Sequence, residues 1–167
     1  MESARKTKEK KMALKTKVSG RIAKPVHEVF EAVADPAKLS KFFVTGPGTR
    51  GRLVAGTIVT WDFKDFPGPF PVKVTEVVPD QKIVLEWPAN DDAAEGATFV
   101  KHDNRVIFDF EALEDGRTLV TITEEGWGET AKGHVQALRN TEGWTGCLVA
   151  MKAWLEHGMN IREGLYK

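Results

Sequence analysis

The chain has 167 residues, with 24 Lys or Arg against 24 Asp or Glu, so its formal net charge is zero. This balance excludes a global field that would draw the protein to nucleic acid or to an anionic membrane. The length suits one domain, and a lone cysteine, Cys147, excludes an internal disulfide. No apolar run approaches the roughly 20 residues that span a bilayer. We therefore expect a cytoplasmic protein with no membrane insertion and no nucleic-acid partner.

Residues 1–13 are basic and almost free of apolar side chains, which predicts a disordered tail before a single domain over 14–167. Deleting this tail should leave the melting temperature unchanged, because it lacks the apolar side chains that offset the entropy of ordering. Thermal unfolding of the truncated chain measures this. A decrease of more than about 4 °C, roughly 1 kcal/mol at this size, would mean that the tail docks on the domain.

The first elements are predicted from capping residues and apolar spacing. A strand over 14–23 precedes a helix that Pro25 opens, and Asp35 caps a second, shorter helix that runs through Phe43. The Gly46-Pro47-Gly48 loop follows. Six further segments are rich in Val, Ile, Thr, Phe and Trp and are separated by turn residues, which is typical of sequential antiparallel strands. These segments are 50–54, 57–64, 70–78, 82–88, 98–112 and 117–126.

The acidic, Ala-rich stretch 89–97 is the one connection between these strands that is long enough to be mobile.

The chain ends in helical sequence. Residues 130–138 read as a helix with a kink or break near Asn140, and a long helix of about 33 Å should run from Glu142 to Glu163. Its apolar face would carry Trp144, Cys147, Leu148, Met151, Trp154, Leu155 and Met159. Cys147 is therefore predicted to be a buried small hydrophobe.

This order of elements predicts an α+β domain with helices on one face of a curved antiparallel sheet. Alternation along the strands sets which side chains face the helices. The inward set is Trp61, Phe63, Val72, Val74, Ile83, Leu85, Trp87, Phe108, Phe110, Val120 and Ile122. The outward set includes Asp62, Lys73, Glu86 and Asp109. An inward face this rich in rings either encloses a ligand cavity or fills the space as solid core.

Several short motifs, in order over about residues 17–164, resemble the START-like (SRPBCC) superfamily. The chain is similar within it to single-domain relatives of the activator of the ninety-kilodalton heat-shock ATPase. The resemblance implies a helix-grip fold, in which the sheet wraps around the long C-terminal helix and encloses an apolar cavity. It also implies either a small hydrophobic ligand or a chaperone or other protein partner, the latter in a stress response. The motifs are Ile22-Ala23-Lys24-Pro25, Glu28-Val29-Phe30, Asp35-Pro36, Ala55-Gly56, Trp61-Asp62-Phe63, Val74-Thr75-Glu76-Val77-Val78-Pro79, Gly126-Trp127, Gly143-Trp144 and Leu155-Glu156-His157-Gly158.

No phosphate-binding, dinucleotide-binding or zinc-protease motif occurs, and His27, His102, His134 and His157 are scattered without metal-ligand spacing. We expect no cofactor and no metal. The candidates for acid or base chemistry are the carboxylates Glu124 and Glu76, whose alternation with inward valines and isoleucines aims both into the domain. The alternative is a carboxylate bonded to backbone or to an arginine such as Arg105 or Arg139.

Three functional hypotheses remain open. The leading one is a non-enzymatic module that holds a small apolar or amphipathic ligand, which enters near the Gly46–Gly48 loop and the 89–97 stretch. The second is a co-chaperone-like interaction domain whose cavity is packed shut. The third is a cyclase- or hydrolase-like enzyme that uses Glu124. The predicted ligand-binding residues are Trp61, Phe63, Val74, Trp87, Phe108, Phe110, Ile122, Trp127, Trp144, Leu148 and Met151.

Overall fold

The computed structural model describes residues 14–66, 68–88 and 103–167. The predicted basic tail, the 89–97 stretch and the first residues of the predicted strand 98–112 lie outside this part of the chain. Six strands and three helices form in the described residues. They are β1 (Lys15–Ile22), α1 (Val26–Ala34), α2 (Pro36–Leu39), β2 (Ile58–Trp61), β3 (Phe70–Val78), β4 (Lys82–Pro88), β5 (Asp103–Ala112), β6 (Thr118–Glu125) and α3 (Ala131–His157).

The strands form one antiparallel sheet in the order β1-β6-β5-β4-β3-β2. Strands β2 to β6 lie side by side in chain order, whereas α1 and α2 separate β1 from β2 along the chain. The first strand instead pairs with the last, with Val18 opposite Ile122. The sheet is curved and unclosed, and the long helix α3 packs on it, which confirms the predicted helix-grip α+β fold. The hydrophobic core fills the layer between them.

Helix α3 is continuous over 27 residues, about 40 Å, so the predicted break near Asn140 is wrong. It begins after Thr130, whose hydroxyl accepts a hydrogen bond from the Gly133 N–H at 3.0 Å. It ends at His157, before the predicted Glu163, because Gly158 adopts a left-handed conformation with φ 67°. Met159 consequently lies outside the helix and is 56% exposed instead of sharing its buried face.

Two expectations about the segment around β2 are also wrong. Residues 50–54 do not form a strand, and the pairing there is a single bridge between Arg50 and Thr60. Asp62 does not point to solvent, because β2 ends at Trp61 and strand alternation ends with it. The Asp62 side chain is buried and its Oδ2 accepts a hydrogen bond from the Gly48 N–H at 2.8 Å, while its carbonyl accepts one from the Gly46 N–H at 2.8 Å.

Gly46→Ala is expected to destabilise the fold by about 1–3 kcal/mol, because a methyl group there would lie 2.6 Å from Asp62 Oδ2. Urea unfolding measures the loss. Gly143→Ala is the matched control, because a methyl group there meets nothing within 4 Å. Alanine loses less backbone entropy than glycine in a helix, so this substitution should stabilise α3 by about 0.5–1 kcal/mol. Equal effects of the two substitutions would contradict the close packing of the Gly46 loop on Asp62.

Candidate functional site

Seven aromatic rings pack together between the sheet and α3, and we call them the aromatic cluster. Trp144 lies at its centre: its ring stacks on Phe43 at 5.2 Å and on Trp87 at 5.3 Å, and it meets Phe108 edge-on at 5.5 Å, measured between ring centroids. Such offset and edge-on geometries add stabilisation beyond the buried area. The members are Phe43, Trp61, Phe63, Phe70, Trp87, Phe108 and Trp144.

The rings of the aromatic cluster differ in their exposure to solvent. Trp61, Phe108 and Trp144 are almost completely buried, whereas Phe63, Phe70 and Trp87 are half-buried. The inner part of the layer is therefore occupied by the rings themselves, and the outer rings form its solvent-facing side. Five of the predicted ligand-binding residues lie together in this cluster: Trp61, Phe63, Trp87, Phe108 and Trp144.

The carboxylate of Glu124 lies against the cluster and is completely buried. Its Oε1 accepts hydrogen bonds from Trp87 Nε1 at 3.0 Å and Asn104 Nδ2 at 3.1 Å, and its Oε2 accepts one from Trp144 Nε1 at 2.7 Å. The amide of Asn140 lies 3.1 Å from both oxygens. Side chains along β6 alternate between the two faces of the sheet, as the sequence indicated. Glu124 therefore faces inward, while its neighbour Glu125 faces outward.

The donors to Glu124 are neutral amide and indole groups, so the predicted arginine partner is wrong. Arg105 instead binds Glu125 on the outer face at 3.0 Å, and Arg139 is exposed. A carboxylate that accepts four side-chain donors is suited to the ionised form. Burial opposes this and raises the pKa of Glu124 above its usual value, against the lowering effect of hydrogen bonds from Trp144, Asn104, Asn140 and Trp87.

This raised pKa predicts how stability depends on pH. Unfolded glutamate releases its proton near pH 4.3, and the folded state holds the proton to higher pH, so the contribution of Glu124 is largest below 4.3 and is lost as the pH rises through the folded pKa. We expect the free energy of unfolding of the wild type, minus that of Glu124→Gln, to fall over this range. Urea unfolding from pH 4 to 8 measures it, and a difference that grows with pH would contradict the raised pKa.

Glu76, the other candidate carboxylate, does not reach this site. The pairing of β3 with β4 shifts between Val74 and Glu76, where a bulge at Thr75 inverts the alternation. The Glu76 side chain is consequently 44% exposed and lies 3.9 Å from Lys82. Its prediction as an inward residue is wrong because a bulge has no clear signature in the Val74-Thr75-Glu76 sequence.

None of the remaining predicted residues is a hydrogen-bond donor to the Glu124 carboxylate. Phe110 packs on Phe30 of α1, with ring centroids 5.4 Å apart. Trp127 is buried, but its Nε1 has no hydrogen-bond partner among the described residues, and its ring does not join the aromatic cluster. Cys147 is buried as predicted, and burial raises the pKa of its thiol. The others belong to the common hydrophobic core: Val74, Ile122, Leu148 and Met151.

Sequence reasoning missed Phe43, Phe70 and the two amide donors. Signals for both amides are present. Asn104 alternates with the inward Val106 and Phe108, and Asn140 precedes Trp144 by four residues, which places both on one face of α3. A polar residue on a buried face needs a hydrogen-bond partner, and the inward Glu124 supplies it.

Among the described residues, no group of three or more His, Cys, Asp or Glu side chains could hold a metal ion. None of the helices in this part of the chain is long and apolar enough to cross a membrane.

A curved sheet that wraps around one long C-terminal helix defines the START-like class of protein. Residues 23–156 match the family described as "Activator of Hsp90 ATPase homolog 1-like protein". The chain belongs to this family, which confirms the resemblance noted in the sequence. No curated protein matches it in sequence.

Solved structures share the fold along nearly the whole chain. Protein SSP2350 from Staphylococcus saprophyticus is 27% identical with a TM-score of 0.71, over 89% of this chain and 96% of that one. The Aha1 dimer from Colwellia psychrerythraea is 22% identical with a TM-score of 0.65, over 90% and 99%. DynU16, a putative protein of the dynemicin biosynthetic locus, is 21% identical with a TM-score of 0.70, over 89% of this chain and 49% of that one.

Proposed function

We propose that the protein is a non-enzymatic module that binds a small amphipathic molecule. Its apolar part would lie on the outer rings of the aromatic cluster, and an N–H or O–H group would bond Glu124. The observation that carries the proposal is this carboxylate, completely buried and held by neutral donors. A buried carboxylate without a counter-charge costs several kcal/mol relative to an apolar side chain, so its presence points to a role beyond stability.

Trp87 offers the route to Glu124. Its ring is half-buried, and its Nε1 provides one of the hydrogen bonds to Oε1. A ligand that displaces the indole and donates its own N–H or O–H would keep the number of bonds to the carboxylate unchanged. Phe70, with its centroid 6.1 Å from that of Trp87, would then contact the apolar part of the ligand.

Native mass spectrometry of the purified protein tests the proposal first, since a co-purifying small molecule identifies the ligand. The second test is fluorescence titration with 2-naphthol, an aromatic molecule with one O–H donor. We expect Phe70→Ala to weaken its binding by about tenfold or more, and Glu124→Gln to retain it within about tenfold, or 1.4 kcal/mol. Ile58→Ala, which removes an exposed side chain from β2, is the control and should change nothing.

Two results together would overturn the proposal: no co-purifying mass, and no saturation by 2-naphthol up to about 1 mM, an affinity of roughly 4 kcal/mol. A co-chaperone-like interaction domain would then be favoured, and the mutual packing of Trp61, Trp87 and Trp144 supports it because these rings fill the layer. Stimulation of a ninety-kilodalton heat-shock ATPase by the purified chain tests this second candidate.

The raised pKa of Glu124 also favours an enzymatic alternative, since a carboxyl group that holds its proton to higher pH suits a general acid or base. On this hypothesis Glu124→Gln lowers turnover by about a hundredfold or more, whereas the binding module keeps its ligand. Measurement of both turnover and affinity on the same variant separates the two functions.

A further inference from the structure

A second candidate site lies away from the aromatic cluster, in a groove of about 1070 Å³. Its walls are α2, the loop that contains Gly46 and Thr49, and the segment that follows α3. None of the seven clustered rings lines it. We call it the basic groove, because five cationic side chains line it: Lys41, Arg50, Lys64, Arg162 and Lys167.

Two carboxylates, Asp65 and Glu163, also line the basic groove, and both are already paired. Asp65 binds Arg162 at 2.7 Å and Glu163 lies 3.3 Å from Lys64. The side chains of the groove therefore carry a net charge of +3, five cations less two anions, in a chain whose formal net charge is zero. In the described part of the chain Lys41 and Arg50 form no ion pair, so their charge is available to a ligand.

Arg162 gives the groove a fixed donor. The residue is 3% exposed, and its Nη1 and Nη2 hold the two oxygens of Asp65 at 2.7 and 2.9 Å. The ring of Tyr166 covers the guanidinium, with its centroid 4.8 Å from Cζ. The remaining Nε–H is buried and has no partner within the described residues. An unpaired buried N–H is costly, and an acceptor oxygen from a ligand would remove that cost.

We propose that the basic groove binds a small molecule that carries phosphate groups. A phosphate group offers a concentrated negative charge and several acceptor oxygens, which match the charges of Lys41 and Arg50 and the unpaired Nε–H of Arg162. The phosphate belongs either to a soluble compound or to a lipid headgroup, and both present the same oxygens.

Calorimetric titration with inorganic pyrophosphate, at an ionic strength of about 0.05 M where screening is weak, tests the proposal. We expect saturable binding that the double substitution Lys41→Ala and Arg50→Ala weakens by at least about tenfold, while the melting temperature stays close to that of the wild type. Lys17→Ala, which removes an exposed lysine from β1, is the matched control and should leave the affinity unchanged. Amide shifts should change in residues 45–51 and 160–164.

Absence of saturable binding would overturn the proposal, as would an equal weakening by Lys17→Ala or shift changes confined to residues outside 45–51 and 160–164. Co-sedimentation with vesicles of phosphatidylglycerol, against vesicles of phosphatidylcholine, distinguishes the sources. Pyrophosphate binding without vesicle binding assigns a soluble phosphate compound, and binding to both assigns a lipid headgroup. Binding to vesicles alone would contradict the phosphate site.

Discussion

Trp144→Ala should lower the free energy of unfolding by about 3–5 kcal/mol. The ring is 3% exposed and contacts Phe43, Trp87 and Phe108, so its removal leaves a cavity at the centre of the aromatic cluster. The substitution also takes away the 2.7 Å hydrogen bond to Glu124. Chemical denaturation measures the combined loss.

Trp144→Phe is the matched variant, since it keeps an aromatic ring in place and removes the indole N–H. Its cost should be smaller than that of Trp144→Ala, because most of the apolar contact remains. Little loss of stability in Trp144→Ala, together with lost binding of an apolar probe, would instead show that Trp144 is a cavity wall. That outcome would contradict its place in the packed core.

Asp65→Ala is expected to cost about 3–5 kcal/mol, because it leaves the Arg162 guanidinium buried without its counter-charge. The hydrogen bonds from Arg162 hold the pKa of Asp65 below its usual value. The stabilisation is therefore present above the unfolded pKa of about 3.9 and is lost as the pH falls through the folded pKa.

Glu163→Ala is the control for Asp65→Ala. It also removes a carboxylate from an ion pair of the same groove, but its side chain and that of Lys64 are both 69% exposed. Exposed pairs contribute little, so the change should stay within about 0.5 kcal/mol. Equal losses in the two variants, measured by urea unfolding at pH 7, would mean that the burial of Arg162 does not set the strength of its pair.

Local signals in the sequence predict most of the fold. Turn residues between the strands set the sequential antiparallel order, and the bounds of β3 and β4 agree with the prediction at both ends. The end of α3 also had a readable signal, since Gly158 can adopt a left-handed cap, but the apolar Met159 beyond it suggested a longer helix. Asn140 suggested a break because asparagine is a poor helix former, whereas its amide is used to bind Glu124.

The candidate site was only partly predictable, because its geometry depends on contacts between distant segments. Alternation correctly placed Glu124 inside, yet it failed for Glu76 where a bulge shifts the register of β3. It also failed for Asp62, whose place is set by backbone amides 14 and 16 residues away, those of Gly48 and Gly46. The basic groove lies between the segment after α3 and the loop around Gly46, and no periodic pattern in either segment predicts it.

The donors to Glu124 come from β4, β5 and α3, and the acceptor comes from β6. An apolar replacement at position 124 alone would remove the acceptor of two indole N–H groups and two amides, at about 1–3 kcal/mol for each of the buried donors Asn104 and Trp144. Replacement of one donor alone leaves the carboxylate short of a bond. Evolution can therefore exchange this arrangement only by correlated changes at several positions, and we expect Trp87, Asn104, Glu124, Asn140 and Trp144 to be inherited or lost as one unit.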